Sequence, residues 1–274
     1  MKNVVIGLVA CAAWLGSLAA HASCANTAPS SILNLSHWKL TLPVDEHHGT
    51  SGEAAEISTR DLLNGYRSGY FCANPAGGVK FWAPVDGATT DGSEYPRSEL
   101  RYMIDPDDHR VNWAPDETSA RLSARLVVER VPSSTRKVVV GQIHGFETKV
   151  YVMLRYQYHP ESDSGSVAAM VNEDPSSPHG TNYGEVFGLP NGQPFTYSIA
   201  VANREITVKV NGHPLTAFHV QHGWLHVPMY FKAGSYTLAS GSSSTDGGRV
   251  TIYSLGGSVH ADGDPDAIFA SGLD

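Results

Sequence analysis

The sequence predicts an all-β protein folded as a single β-sandwich of the jelly-roll type. Glycine and proline are abundant, at 27 and 16 of 274 residues, whereas only 17% of the residues are charged. This composition favours turns over long helices. Short segments of alternating apolar and polar residues recur along the chain with turn residues between them. Since neither an internal repeat nor a linker divides the sequence, one domain over residues 23–274 accounts for it.

The first 22 residues have the features of a secretion signal. Lys2 gives a small positive charge, residues 4–20 are largely apolar, and the A-x-A sequence at 20–22 matches a cleavage site. The apolar run is short for a membrane span and no basic stop follows it. We therefore expect residues 1–22 to be removed and the mature chain to be secreted or periplasmic, with no membrane attachment.

Two cysteines, Cys24 and Cys72, remain once a leader containing Cys11 is removed. An even pair of cysteines in an oxidising compartment predicts a disulfide. The alternative is a pair of buried thiols. A bridge would tie the start of the mature chain to the body of the domain, and it would stabilise the fold by restricting the unfolded chain.

The charge balance excludes some partners. The formal net charge is -8, so the chain is a poor partner for nucleic acid and offers no general attraction to a polyanion. An acidic substrate would need positive charge concentrated at one place on the surface. The sequence carries no signal of oligomeric state, and a monomer is the default expectation.

The individual elements follow from the alternation of residue types. A short helix is predicted over 58–65, because Ser58 or Thr59 can cap its start and Gly65 can end it. Asn211-Gly212 is a strong hairpin turn. Strands are predicted over residues 34–43, 79–84, 95–103, 121–131, 138–144 and 150–159, once within 160–184 between long loops, and over 195–201, 205–210, 214–220, 229–236 and 249–255.

Chemically useful side chains are concentrated on three of these strands. Alternate residues of a strand point to the same face. Each polar face alone also fits a solvated surface strand. On one sheet, however, they would form a concave groove with local positive charge, a base and two phenols. The three faces carry Arg97, Glu99 and Arg101; Gln142 and His144; and Tyr230, Lys232 and Tyr236.

These stretches resemble the signature blocks of the alginate lyases of polysaccharide lyase family 7. RSELR at 97–101, QIH at 142–144 and YFKAGSY at 230–236 occur in the family's order, and WKLTLP at 38–43 resembles its first strand. Tyr102 and Leu238 depart from the family's pattern and are candidates to alter substrate preference. The resemblance implies a jelly roll that cleaves alginate, an acidic polysaccharide, by β-elimination without a metal or cofactor.

The resemblance also implies roles for these residues. Arg97 and Gln142 would bind the uronate carboxylate and stabilise the charge that develops there. His144 would be the base at C5 of guluronate, and Tyr236 would protonate the departing O4 and serve as both base and acid on mannuronate. Ile143 favours acceptance of guluronate or mixed blocks, and endolytic action is expected. Binding and orientation of substrate would fall to Glu99, Arg101, Lys232 and Tyr230, with Lys232 supporting a Tyr236 phenolate.

Other functions remain open from the sequence. A lyase for another polyuronate is one, and a sandwich that binds acidic glycans without cutting them is another. A retaining glycosidase needs two facing carboxylates, and the strand pattern E-x-D-x-E that would supply them is absent. The spacing of His219, His222 and His226 matches no standard zinc motif. In a binding module sugars would stack on Trp38, Trp82, Trp113 or Trp224.

Overall fold

Two antiparallel sheets form most of the part of the chain that the structure describes. The computed structural model describes residues 24–177 and 180–261, so the proposed leader at 1–22 and its cleavage site lie outside the described residues. The strands are β1 Trp38–Thr41, β2 Glu56–Ile57, β3 Phe71–Ala73, β4 Val79–Pro84, β5 Arg97–Tyr102, β6 Thr118–Arg130, β7 Lys137–Gly145, β8 Val150–His159, β9 Ser164–Val171, β10 Thr181–Pro190, β11 Phe195–Ala202, β12 Glu205–Val210, β13 His213–His219, β14 Met229–Thr237 and β15 Gly247–Ala261.

The sheets pack face to face as the predicted sandwich. The front sheet has the order β10-β9-β8-β7-β14-β5-β1-β2, and the back sheet has the order β13-β12-β11-β6-β15-β4-β3. Leu122 and Leu126 of the back sheet and Leu100, Ile143 and Phe231 of the front sheet are fully buried in one core. Their neighbours along each strand point away from the core, as the alternation of residue types requires.

Local signals for turns and caps are confirmed. The helix α1 spans Thr59–Leu63, and the side chain of Ser58 accepts a hydrogen bond from the Asp61 N–H as the N-cap. Asn211 and Gly212 both have positive φ, at 50° and 76°, as the predicted hairpin turn requires. Further single turns of 3-10 helix lie at Pro29–Ser31 and His222–Trp224. No helix in the described residues is long and apolar enough to span a membrane.

The disulfide prediction is also confirmed. Cys24 and Cys72 are joined by a disulfide with a Cα–Cα distance of 5.6 Å and a sequence separation of 48. Cys72 is fully buried in β3, at the edge of the back sheet. The bridge therefore fixes the first described residue to the sheet that does not carry the three polar faces.

The prediction for residues 160–184 was wrong, because the region contains β9 and the start of a second strand, β10. β10 is the edge strand of the front sheet, and most of its residues are exposed or half-buried. Its pairing with β9 is shifted between Asn182 and Gly184 and again between Val186 and Leu189. Bulges of this kind break the two-residue period, so the sequence shows no clear alternation there.

Candidate active site

Three neighbouring strands of the front sheet bring the predicted site residues together. β14 lies between β5 and β7, so the polar faces of the three strands are adjacent. The register aligns them in rows across the sheet. Cross-strand partners are Lys232 with Arg101 and Gln142, Tyr230 with His144, and Tyr236 with Arg97.

The floor of the site is buried although it faces away from the core. Arg97 is 6% exposed, Gln142 1% and Lys232 6%, and Glu99 is fully buried. A solvated surface strand would leave such side chains in water, so that interpretation of 97–101 is wrong. The opposite face of β5, with Ser98 and Leu100, packs into the core as expected.

Glu99 is the centre of a buried charge network. Lys232 Nζ lies 2.8 Å from its carboxylate and Gln142 Nε2 donates to it at 2.5 Å, while Arg97 Nη1 lies at 3.5 Å. Burial opposes ionisation of Glu99, but Lys232 and Arg97 together hold its pKa below the ordinary value. Burial lowers the pKa of Lys232 to about 8, and the nearby Arg97 adds to that shift. The pair is therefore charged at neutral pH.

His144 is held in one tautomer. Its Nδ1 lies 2.8 Å from the carbonyl oxygen of Gly145, and a carbonyl can only accept, so Nδ1 carries the proton and Nε2 the lone pair. The ring stacks on Tyr230 with centroids 5.3 Å apart. Burial lowers the pKa of His144 to about 3, with a further contribution from the positive charges of Lys232 and Arg97. The imidazole is consequently a neutral base at neutral pH.

Tyr236 lies against Arg97 at the other end of the same face. The Arg97 guanidinium sits over the phenol ring, 4.1 Å from its centroid. Ser93 contacts both residues: its Oγ accepts from Arg97 Nη2 at 2.5 Å and lies 3.3 Å from Tyr236 Oη. Sequence reasoning missed Ser93, because it belongs to the loop before β5 and no strand pattern points to it.

Known proteins are similar to this chain over most of its length. An alginate lyase family model matches residues 33–258. The chain belongs to this alginate lyase family. It is 29% identical to an alginate lyase of Klebsiella pneumoniae, over 83% of this chain and 90% of that protein.

Solved structures agree with the family assignment. Alginate lyase A1-II', a member of polysaccharide lyase family 7, has a TM-score of 0.74 and 32% identity over 85% of this chain and 98% of its own. Alginate lyase PA1167 from Pseudomonas aeruginosa has a TM-score of 0.73 and 36% identity over 82% and 99%. A variant of A1-II' with His→Asn and Tyr→Phe substitutions, in complex with a substrate (GGMG), has a TM-score of 0.74 and 31% identity over 86% and 97%. This chain is thus an alginate lyase with the expected jelly-roll sandwich.

In this lyase Arg101 forms a second aromatic–cation contact. Its guanidinium lies 3.8 Å from the centroid of the Tyr230 ring. Its Nη2 also donates to the carbonyl oxygen of His109 at 2.7 Å and to the Asn112 side chain at 3.1 Å. Arg101 therefore links β5 to the following loop, while Tyr230 is held between Arg101 and His144.

The surroundings of Lys232 differ from those expected. We expected Lys232 to support a phenolate at Tyr236, but its ammonium is bound to Glu99. The cation placed against Tyr236 is Arg97. The two tyrosines of β14 each stack with an arginine of β5. Lys232 instead balances the charge of Glu99.

Several other candidates fall outside the lyase site. Tyr102 packs in the core, with its ring 5.2 Å from that of Trp38, so it does not line the polar face. His222 and His226 are exposed. Among the described residues no group of His, Cys, Asp and Glu could hold a metal ion. Of the tryptophans considered for sugar stacking, those buried in the core are Trp38, Trp113 and Trp224.

Proposed function

We propose that this lyase cleaves alginate through Arg97, Gln142, His144 and Tyr236. One observation carries the proposal. The neutral imidazole of His144 shares a face with the phenol of Tyr236 and the guanidinium of Arg97, and its Nε2 has no hydrogen-bond partner in the described chain. These are the groups that a β-elimination next to a carboxylate requires. A base removes the proton, an acid protonates the leaving oxygen, and cationic donors stabilise the carboxylate.

The electron movement for guluronate is as follows. The C5–H bond breaks and its proton passes to His144 Nε2, while the electron pair of that bond forms the C4=C5 double bond. The C4–O4 bond breaks with its pair remaining on O4, and Tyr236 Oη–H supplies the proton that O4 takes up. For mannuronate, Tyr236 acts as both base and acid. The product retains an unsaturated uronate at the new end.

Donors for the substrate carboxylate are available on Arg97 and Gln142. A guanidinium has five N–H groups and a side-chain amide has two. In the absence of substrate Arg97 uses one group toward Ser93 and one toward Glu99, and Gln142 uses one toward Glu99. The remaining N–H groups can bind a carboxylate while Glu99 keeps both side chains in place. Glu99 is thus an orienting residue.

Substrate binding would also tune the base. The low pKa of His144 arises from burial and from the charges of Lys232 and Arg97. A uronate carboxylate bound by Arg97 would offset that positive charge and raise the pKa of His144 toward its ordinary range. The imidazole would then become more basic when a substrate proton is in place, which is the condition that general-base catalysis favours.

Acceptance of guluronate or mixed blocks, with endolytic cleavage, is part of the proposal. The substrate and product complexes of A1-II', with GGMG and with GGG, support binding of such oligosaccharides by likeness. Ile143 was the sequence basis for this preference. Its side chain is fully buried in the core, so any influence it has on preference is exerted through the position of β7.

Export is proposed from the leader at 1–22. The Cys24–Cys72 disulfide supports it, because disulfides persist in oxidising compartments. We propose that the mature chain is a periplasmic or secreted monomer. The mass of the exported chain would test the cleavage site. Its mass under native conditions would test the oligomeric state.

The assignment of residues is tested by turnover of alginate, polymannuronate and polyguluronate. The conjugated double bond of the product gives a rise in ultraviolet absorbance. We expect Tyr236→Phe and His144→Asn to lower kcat on polyguluronate by about 10²–10⁴-fold each, while binding of alginate is retained. The assignment is wrong if either variant keeps wild-type turnover on polyguluronate. Early loss of viscosity relative to the number of new ends would indicate endolytic action.

A further inference from the structure

The geometry around Tyr236 points to a function for Ser93. We infer that Ser93 is a positioning residue that acts through Tyr236, by donating its hydroxyl hydrogen to the phenol oxygen and holding the phenolate that forms during cleavage. The inference rests on the proposed role of Tyr236 as the proton donor. It assigns a function to a loop residue that lies outside the three polar strands.

The hydrogen inventory of Ser93 gives the direction of its bonds. A serine hydroxyl has one hydrogen and two lone pairs, whereas a guanidinium can only donate. Ser93 Oγ therefore accepts from Arg97 Nη2 at 2.5 Å. Its own hydrogen has two acceptors within reach, Tyr236 Oη at 3.3 Å and the Tyr95 carbonyl oxygen at 3.4 Å, and we assign it to the phenol oxygen, which is the nearer. A bond in this direction occupies a lone pair of the phenol and leaves the Tyr236 hydrogen to point elsewhere, toward a leaving oxygen in the groove.

The bond becomes stronger as the reaction proceeds. When the Tyr236 proton moves to O4, the phenol oxygen becomes negatively charged and can only accept. Hydrogen bonds to an ionised acceptor are shorter and stronger than those between neutral groups. Because the Arg97 guanidinium donates to the same Ser93 oxygen, it polarises the hydroxyl and makes it a better donor. Through the Ser93 hydroxyl, the Arg97 charge thus helps to stabilise Tyr236 Oη, the atom where negative charge develops.

The loop holds Ser93 in place for this contact. The Ser93 N–H donates to the carbonyl oxygen of Thr90 at 3.0 Å, and the Thr237 N–H donates to the carbonyl oxygen of Pro96 at 3.1 Å. The second bond fixes the end of the loop to β14 next to Tyr236. Backbone bonds on either side of the Ser93 side chain therefore restrict where it can lie, which suits a residue that positions a reacting group.

The test compares variants at Ser93 on polyguluronate. Ser93→Ala should lower kcat by about ten- to a hundredfold, as expected for a hydrogen bond to a charged group, with KM changed less than about twofold. Ser93→Thr keeps the hydroxyl and should restore most of kcat. Thr90→Ala is the matched control, because it shortens a side chain of the same loop but retains the carbonyl that holds Ser93; wild-type kinetics are expected.

A double-mutant cycle separates this inference from the proposed function. In a Tyr236→Phe background the phenol oxygen is absent, so adding Ser93→Ala should cause no further loss of kcat. An equal loss in both backgrounds would overturn the inference, as would a rise in KM with kcat unchanged, which would mean that Ser93 only places Arg97. The proposed role of Tyr236 itself is judged by Tyr236→Phe alone.

Discussion

At the scale of single residues, the site depends on buried charges that are balanced locally. An unpaired charge in a protein interior is costly. The fully buried Glu99 carboxylate is matched by the Lys232 ammonium at 2.8 Å and by the more distant Arg97 guanidinium. The pairing keeps Glu99 ionised and leaves net positive charge at the site. A polyuronate can bind there although the whole chain is acidic.

Burial, together with the same positive charge, holds the pKa of His144 low and makes its protonation destabilising. Its pKa is about 3 when folded against 6.5 for the unperturbed group. The unfolded chain therefore binds the proton first as pH falls. Stability linked to His144 is fully present above about pH 6.5 and is lost as pH falls from there toward about 3, with a slope of at most about 1.4 kcal/mol per pH unit for one proton.

Urea unfolding from pH 8 to pH 4.5 measures this effect. The quantity to follow is the difference in free energy of unfolding between the wild type and His144→Asn, with its value at pH 8 as the reference. We expect this difference to shift progressively against the wild type as the pH falls below 6.5. The comparison with the variant removes the contribution of the carboxylates. Parallel curves for the two proteins would contradict the low pKa of His144.

At the scale of elements, β14 is the strand on which the site depends, and Gly234 allows its close approach to β5. A Cβ at Gly234 would lie 2.5 Å from the Ser98 carbonyl oxygen and 2.8 Å from Glu99 Cα, and the φ of Gly234 is 152°. The glycine is therefore needed for backbone packing between strands, which no pattern within one strand reveals.

Gly234→Ala should consequently affect both stability and catalysis. Overpacking of this kind costs about 1–3 kcal/mol. It would also displace β14, which carries Lys232 and Tyr236, and a displacement of about 1 Å can cost about 10²-fold in rate. The measurements are the free energy of unfolding and kcat on alginate. Gly69→Ala is the control, because a Cβ there meets no atom within 4 Å; wild-type values for Gly234→Ala would refute the packing argument.

At the scale of the whole molecule, the sequence predicted what depends on alternation and left out what depends on loops. The sandwich and the separate polar faces that carry Arg97, His144 and Tyr236 follow from the period of two residues along each strand, whereas the meeting of the three faces depends on the order of the strands in the sheet. The contact of Ser93 with Tyr236 does not, since it requires a loop to return over the sheet. The edge strand β10 was missed for a related reason, because bulges interrupt its period.

We expect the disulfide to stabilise the whole fold and to leave the chemistry unchanged. It closes a sequence separation of 48 residues, for which the chain-entropy model gives about 4 kcal/mol. Because Cys72 lies in β3 of the back sheet, kcat should not depend on the bridge. We expect a Cys24→Ser/Cys72→Ser double variant to keep wild-type kcat at 25 °C and to unfold about 8–16 °C lower.

Reduction provides the matching control, and it ties the bridge to export. Dithiothreitol should lower the thermal midpoint of the oxidised wild type to that of the double variant and leave the variant itself unaffected. If the leader directs the chain to an oxidising compartment, protein recovered from there should show the higher midpoint, and protein retained in a reducing cytoplasm the lower one. Equal midpoints for the oxidised wild type and the double variant would mean that the bridge contributes nothing to stability. A fall in kcat on reduction would mean that the back sheet influences the position of β5 and β14, and that outcome would contradict the separation of stability from chemistry argued for this fold.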